Sequence, residues 1–151
     1  MIDHGADVNA KDNSGWTAQH LLCQSYKKNH LIDIIQHFIQ HGVDINAVGK
    51  DGENILHLVC LTYQKDNSIE IIRHLIQHGA DVNAKTNSEW TALHFVCNNY
   101  QNDNSIEIIR LFIQHGVDVK AKDSYKRTAL AYWLPNNDKN KNNNEVVKLL
   151  S

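Results

Sequence analysis

The chain contains 151 residues, of which 42% are apolar and 21% are charged, and its formal net charge is −2 at pH 7. So small a charge gives no overall attraction to nucleic acid or to an acidic membrane surface. The sequence also lacks the run of about 18 apolar residues that a membrane-spanning helix needs, so we expect neither nucleic-acid binding nor membrane insertion.

The sequence repeats itself with a fixed step of 37 residues. The dipeptide His-Gly stands at 4–5, 41–42, 78–79 and 115–116, and the phrase Asp-Val-Asn-Ala or a close variant follows it each time. A period of this size is typical of stacked arrays, in which a unit cannot bury its apolar face without its neighbours. The repeat therefore predicts a single domain over residues 1–151, with a partial leading unit at 1–13, units at about 14–50, 51–87 and 88–124, and a terminal unit at 125–151.

Each unit is predicted to contain a turn, a short helix, a polar loop and a second helix, in that order. In the unit that begins at residue 51, Asn54 occupies a helix N-cap position, and apolar residues follow it at helical spacing. Ser68 begins the second helix, with Glu70 in the first turn, where the helix dipole favours an acidic side chain. Glycines in the left-handed conformation are expected to end the second helices: Gly42, Gly79 and Gly116.

One cysteine occupies the same position in three successive units: Cys23, Cys60 and Cys97. An odd number at equivalent positions is not a disulfide framework. Stacked helices lie about 8–10 Å apart, whereas a disulfide needs Cα atoms closer than about 7 Å. We therefore expect buried core thiols and, because free thiols persist in reducing compartments, a cytoplasmic location.

Two phrases of the repeat resemble the ankyrin-repeat family. They are Thr-Ala-Leu-His at 91–94 and Gly-Ala-Asp-Val-Asn-Ala at 79–84, and variants of both return along the chain. The resemblance implies an all-α solenoid of stacked helix–loop–helix units with projecting β-hairpin turns. It also implies that the concave face, made by hairpin tips and first helices, binds protein partners. A structural role, tying a helix to a neighbouring turn by a hydrogen bond, is implied for three histidines: His20, His57 and His94.

The chain departs from the family in three ways. Its units have 37 residues rather than about 33, and the extra residues fall between the two helices of a unit. Gln19 stands where the family has a buried leucine. Glu89 and Lys126 replace the turn glycines Gly15 and Gly52. Because a non-glycine residue there must avoid or endure a positive φ, we expect those two hairpins to be reshaped or less stable.

Trp16 and Trp90 directly precede the Thr of their units, and Glu53 and Arg127 hold the equivalent positions in the other two. In the family this position faces the partner, and large aromatic residues and arginine dominate binding hot spots. The alternative is that each tryptophan only covers the adjoining hairpin. Hairpin-tip residues complete the predicted partner-binding surface: Lys11, Asp12, Asn13, Lys50, Lys85, Asn87, Lys122, Asp123 and Tyr125. Their mixed charge favours a protein partner over a phosphate backbone.

Ten histidines raise the question of a metal site. The one histidine per unit is separated from the next by a whole stacking step, whereas zinc needs its ligands about 2 Å from one ion. Pairs at i, i+4 spacing, at 37/41 and 74/78, lack the glutamate of a metalloprotease helix. No nucleophile–base pair, paired carboxylates or glycine-rich phosphate loop occurs either. We therefore expect that the chain is not an enzyme and that it binds neither a metal ion nor a cofactor.

The sequence leaves three functions open. The first is an intracellular scaffold module that binds a protein partner on the concave face, as a monomer. The second is the targeting segment of a larger enzyme or effector whose catalytic domain lies outside this chain. The third is a structural spacer that self-associates end to end. A composition rich in Ile, Asn and Lys is similar to that of proteins from intracellular bacteria or large DNA viruses, in which case the location would be the host cytosol.

Overall fold

The computed structural model describes residues 7–25, 31–62, 68–99, 104–136 and 143–151. Within these ranges eight helices follow one another in pairs: α1 (Ala18–Ser25) with α2 (Leu31–Gln40), α3 (Ile55–Thr62) with α4 (Ser68–Gln77), α5 (Ala92–Asn99) with α6 (Asn104–Gln114), and α7 (Ala129–Asn136) with α8 (Asn143–Leu150). The same ranges contain no strand and one isolated antiparallel bridge, between Lys122 and Thr128. The predicted all-α array of helix pairs is confirmed.

The helix pairs stack side by side. Each first helix contacts the first helix of the next pair, from α1 through α3 and α5 to α7, and the second helices form a parallel row from α2 to α8. One hydrophobic core runs along the array, from Cys23 in the first pair to Leu150 in the last. Because Ile72 and Leu75 of α4 are completely buried, the stacking satisfies the apolar faces that the repeat pattern predicted.

The three cysteines lie within this core as free, buried thiols. Burial raises the pKa of the Cys23 thiol to about 12, and it raises the pKa of Cys60 and Cys97 further still. These side chains therefore act as small apolar residues, as predicted, because a thiol held in its neutral form is a poor nucleophile.

Glycine ends the second helices where the sequence predicts. Gly42, Gly79 and Gly116 have φ values of 76°, 91° and 77°. At the end of α4, the Gly79 N–H donates to the Ile76 carbonyl at 3.0 Å and the next N–H donates to the Leu75 carbonyl at 3.0 Å. The left-handed residue thus satisfies carbonyl groups that the last helical turn leaves unpaired.

The extra residues of each unit are predicted to lie between its two helices. The helices of the first three pairs are separated by residues 26–30, 63–67 and 100–103, which lie outside the described part of the chain together with residues 1–6 and 137–142. The boundaries of the units, including the partial leading unit, therefore stay a prediction.

Gln19 is buried, as expected from its alignment with a buried leucine of the ankyrin-repeat family. Its side chain is 2% exposed, and its Nε2 donates to the Asp44 carbonyl at 2.7 Å. Its Oε1 has no hydrogen-bond partner among the described residues. The first unit thus retains a buried polar atom at a position that would favour an apolar side chain.

Of the two outcomes expected for the glycine-free hairpins, reshaping does not occur, and reduced stability stays a prediction. Glu89 and Lys126 take φ values of 60° and 65°, within the same left-handed region as Gly15 and Gly52. The Glu89 N–H donates to the Thr86 carbonyl at 2.8 Å, and the corresponding bond of Gly15 measures 2.9 Å. The surrounding hydrogen bonds hold these residues in a conformation that costs an L-residue about 1–2 kcal/mol.

Candidate protein-interaction surface

The hairpins that carry Trp16 and Trp90 are each closed by a side chain at their first position. Asp12 Oδ1 accepts the N–H of Trp16 at 2.9 Å, and Thr86 Oγ1 accepts the N–H of Trp90 at 3.2 Å. Backbone bonds complete the turns, because the Asp12 N–H donates to the Trp16 carbonyl at 2.8 Å and the Thr86 N–H donates to the Trp90 carbonyl at 2.9 Å. Both predicted tryptophans are therefore held by their own hairpins.

Asparagines of the repeated Asp-Val-Asn-Ala phrase link each unit to the next. Asn46 Nδ2 donates to the Gly79 carbonyl at 2.9 Å, and its Oδ1 accepts the Asp81 N–H at 2.9 Å. Asn9 and Asn83 make the same two bonds, at distances between 2.7 and 3.1 Å. This row of side-chain amides keeps successive units in register along the array.

One histidine per unit forms a second row of links. His57 Nδ1 accepts the Asn54 N–H at 3.1 Å, so the ring proton lies on Nε2, which donates to the Ala84 carbonyl at 3.0 Å. His20 Nε2 donates in the same way to the Glu53 carbonyl at 3.1 Å, and His94 Nε2 to the Arg127 carbonyl at 3.3 Å. His20 and His94 therefore join the start of a first helix to the following unit, and His57 joins it to Ala84 near the end of its own unit.

Burial keeps these three imidazoles neutral. Loss of solvent lowers the pKa of His57 to about 4, although backbone carbonyls partly oppose the shift. Burial also lowers the pKa of His20 and of His94. A neutral ring can accept at Nδ1 and donate at Nε2 at once, which the observed links require.

Trp90 lies at the centre of an aromatic cluster. It is half-buried, and its ring packs edge-on against Phe95 with centroids 4.9 Å apart and against Tyr132 at 4.7 Å. An open groove of about 390 Å³ runs past it. The groove combines residues of three successive hairpins with a residue of α5: Asp51, Glu53, Thr86, Ser88, Trp90, Phe95, Tyr125 and Arg127.

Arg127 is fixed on the opposite side of the groove from the second hairpin. Its guanidinium lies 4.8 Å from the centroid of the Tyr125 ring and 4.5 Å from that of Tyr132. It also pairs with the Asp123 carboxylate at 3.2 Å. Tyr125 itself is 75% exposed. The fourth hairpin thus presents a stacked tyrosine–arginine pair to solvent.

Asp123 is not a surface residue, and its inclusion in the predicted partner-binding surface is wrong. Its side chain is fully buried, and it accepts hydrogen bonds from the Tyr132 hydroxyl and from the N–H groups of Tyr125 and Arg127. Burial alone would raise the pKa of Asp123, but these donors and the Arg127 charge together lower it to about 2. The Asp123 carboxylate thus joins the backbone of the fourth hairpin to the Tyr132 hydroxyl of α7.

A second groove, of about 400 Å³, surrounds Trp16 and is lined by Asp12, Ser14, Leu21, Lys50 and Asp51. The indole lies so close to Gly49 that a Cβ atom there would approach it to 2.9 Å. The two tryptophans therefore occupy separate grooves, and Glu53 lines the one beside Trp90. The positions of Trp16 and Trp90 are compatible both with contact to a partner and with the alternative, in which each indole only covers its hairpin.

The remaining predicted contact residues lie at the hairpin tips, and two of them link neighbouring hairpins. Lys11 Nζ donates to the Val48 carbonyl at 2.9 Å, and Asn87 Nδ2 donates to the Lys50 carbonyl at 2.9 Å. Lys85 pairs with Glu89 at 3.4 Å on the surface. The side chains of Asn13 and Lys50 are exposed. We call the whole surface, residues 11–16, 48–53, 85–90 and 122–127 with the exposed side of the first helices, the hairpin face.

Histidine pairs on the second helices do not form a larger metal-binding cluster. The rings of His37 and His41 have centroids 4.2 Å apart, and His41 Nδ1 bonds the His37 carbonyl at 2.8 Å. His74 and His78 repeat this arrangement. In the described ranges no three potential metal ligands lie close enough to hold an ion. Nor is any helix in those ranges long and apolar enough to cross a membrane.

A family model described as ankyrin repeats, in three copies, matches the chain over residues 1–86, 22–123 and 61–151. These overlapping matches together extend over the whole sequence. No curated protein matches the chain.

Proposed function

The chain belongs to the ankyrin-repeat family, and from this membership we propose that it is a non-enzymatic module that binds a protein partner on its hairpin face. Ankyrin repeats generally mediate protein–protein interactions. The proposal that this face, rather than the second-helix row, makes the contact is supported by the side chains that the hairpins display.

The groove beside Trp90 is the observation that carries the proposal. It is the place where a half-buried tryptophan, an exposed tyrosine and an arginine converge. These three residue types are the ones enriched at the energetic centres of protein interfaces, because they offer large contact areas together with polar ends.

Rigidity of the hairpin face also supports binding there. The indole of Trp90 is held by two aromatic rings, and Arg127 is held by Asp123 and Tyr132. Ordering a mobile side chain at an interface costs about 0.5–1.5 kcal/mol. Side chains that are already ordered avoid much of that cost when a partner docks.

The experiment compares capture of partner proteins by the wild-type chain with capture by matched variants. Trp16→Ala and Trp90→Ala remove hairpin-face contacts, and Arg73→Ala removes an exposed side chain from α4 in the second-helix row. For a partner identified by capture and then purified, we expect Trp90→Ala to weaken binding by more than about 1 kcal/mol, which is a factor of roughly five. Arg73→Ala should leave affinity unchanged. The opposite ranking of the two variants would refute docking on the hairpin face.

Two finer properties complete the proposal. We propose that the module is a monomer, since its apolar helix faces pack within the array, and that it works in a reducing compartment, since its thiols are free. Sedimentation over a range of concentrations tests the first property, and a mass that rises with concentration would favour the self-associating spacer instead.

A further inference from the structure

Two negative charges in the groove beside Trp90 have no counter-ion among the described residues. Asp51 and Glu53 both line this groove. The ion pairs within the described ranges involve other carboxylates, those of Glu89, Glu145 and Asp123. The one arginine of the groove, Arg127, is already paired with buried Asp123. The groove therefore carries a net negative charge.

Of the two carboxylates, that of Glu53 is the more poorly compensated. Its Oε2 atom is shielded from solvent and has no hydrogen-bond partner in the described part of the chain. Burying an acceptor without a partner costs about 1–3 kcal/mol, and more when the group is charged. A cation bound beside the Glu53 carboxylate would offset its uncompensated negative charge.

Aromatic rings form the rest of the groove and favour the same kind of occupant. The face of an indole or phenol ring attracts a cation that lies within about 6 Å of its centroid. The protein already uses this attraction, because the Arg127 guanidinium lies over two tyrosine rings, at 4.8 and 4.5 Å. Trp90 lines the same groove as the two unpaired carboxylates.

The groove around Trp16 contains a different set of charged side chains. It holds a tryptophan and the carboxylates of Asp12 and Asp51, but Lys50 lines it as well. Lys50 forms no ion pair within the described residues, whereas the basic side chain of the Trp90 groove, Arg127, is paired with Asp123. An unpaired lysine in the wall repels a second cation, so the two grooves differ in this respect although their volumes are similar.

We propose that the groove beside Trp90 receives a positively charged side chain, a lysine or arginine of the protein partner, between the Glu53 carboxylate and the Trp90 ring. The inference rests on the proposed function and adds the chemistry of the contact. The partner segment is accordingly basic at the point where it crosses the second and third hairpins.

The test titrates the full chain with n-butylammonium, which reproduces the end of a lysine side chain, and follows the indole N–H signals by NMR. n-Butanol is the uncharged control, and sodium chloride keeps the ionic strength equal. The indole of Trp133, which is buried and donates to Asn143 Oδ1 at 3.0 Å, serves as the internal reference. Two variants accompany the wild type: Glu53→Gln, and Glu70→Gln at an exposed position on α4.

We expect n-butylammonium to shift the Trp90 signal saturably, with a millimolar dissociation constant, and the Trp133 signal to stay in place. Glu53→Gln should weaken this binding roughly tenfold, and Glu70→Gln should not change it. An unmoved Trp90 signal, an equal response to n-butanol, or full binding by Glu53→Gln would each overturn the inference. None of these results would refute the proposed function, which depends on the separate Trp90→Ala comparison with a protein partner.

Discussion

The first three hairpins of the chain and the fourth are held in different ways. Beside each of the first three, an asparagine and a histidine bond to backbone groups further along the array, as Asn46 bonds Gly79 and His20 bonds Glu53. Beside the fourth hairpin, Lys120 and Ala131 occupy these two positions. There the carboxylate of Asp123 is buried and accepts hydrogen bonds from Tyr125, Arg127 and Tyr132.

The difference separates links between hairpins from links within one hairpin. The Asn and His side chains reach backbone groups of a later segment, whereas Lys120 and Ala131 are exposed. The Asp123 network instead joins residues of its own hairpin to the first helix that follows it.

The largest effect is expected from removing an inner histidine. His57→Ala leaves the Ala84 carbonyl and the Asn54 N–H without their observed partner and opens a cavity, so we expect a loss of about 3 kcal/mol in the free energy of unfolding. Ala131→His, which restores a histidine to the terminal unit, should change stability by less than about 0.5 kcal/mol. Urea unfolding of both variants measures the contrast, and equal losses would contradict it.

The hydrogen-bond network around Asp123 should be the next most sensitive. Asp123→Asn removes the charge that pairs with Arg127 and puts an NH₂ group where donors converge, which should cost about 2–3 kcal/mol. Asp12→Asn is the matched control, because Asp12 is exposed and asparagine can accept the same N–H groups. We expect it to cost less than about 0.5 kcal/mol. Equal losses in the two variants would show that the buried Asp123 charge adds no stability beyond the hydrogen bonds of the turn.

Acid should weaken the inner units first. The folded-state pKa of His57 is about 4, below its ordinary value of 6.5, so its neutral form stabilises the fold fully above 6.5 and this contribution is lost as the pH falls toward 4. From about pH 7.5 to about pH 5 we expect a loss of about 2 kcal/mol from this residue. His20 and His94 act in the same direction. Asp123, with a pKa of about 2, adds no loss in this range because its contribution persists above 3.8.

Urea unfolding midpoints across this pH range, for the wild type and His57→Asn, measure the effect. The variant should show a shallower dependence on pH. A wild-type midpoint that stays constant from about pH 7.5 to about pH 5 would mean that these imidazoles are not neutral and buried in solution.

Local signals in the sequence predicted the helices, the glycine helix ends and the stacking, because each depends on residue types at fixed spacing. The burial of Asp123 could not be predicted in that way, since Asp123 and Asp12 follow a lysine in the same phrase. What distinguishes them is Tyr132, which reaches Asp123 from the first helix, whereas Leu21 holds the equivalent position beside Asp12. The lining of the Trp90 groove by Glu53 likewise depends on packing between units.

The smallest effects should come from relieving backbone strain. Glu89→Gly and Lys126→Gly replace left-handed residues, at φ 60° and 65°, and glycine adopts this conformation without steric cost. After the greater freedom of glycine in the unfolded chain is counted, each variant should gain about 0.5–1 kcal/mol. Thermal unfolding measures the gain. Gly15→Ala should change stability in the opposite direction, and a loss in the two glycine variants would mean that these hairpins are not strained.

The asparagine bonds join one unit to the next, and hydrogen exchange at a single amide is the most direct measurement of them. In Asn46→Ala the Asp81 N–H loses the side-chain acceptor that holds it at 2.9 Å. Its exchange should accelerate roughly tenfold, while the Asp44 N–H, held by Asn9, keeps its wild-type rate. An unchanged rate at Asp81 would contradict the claim that this phrase joins neighbouring units.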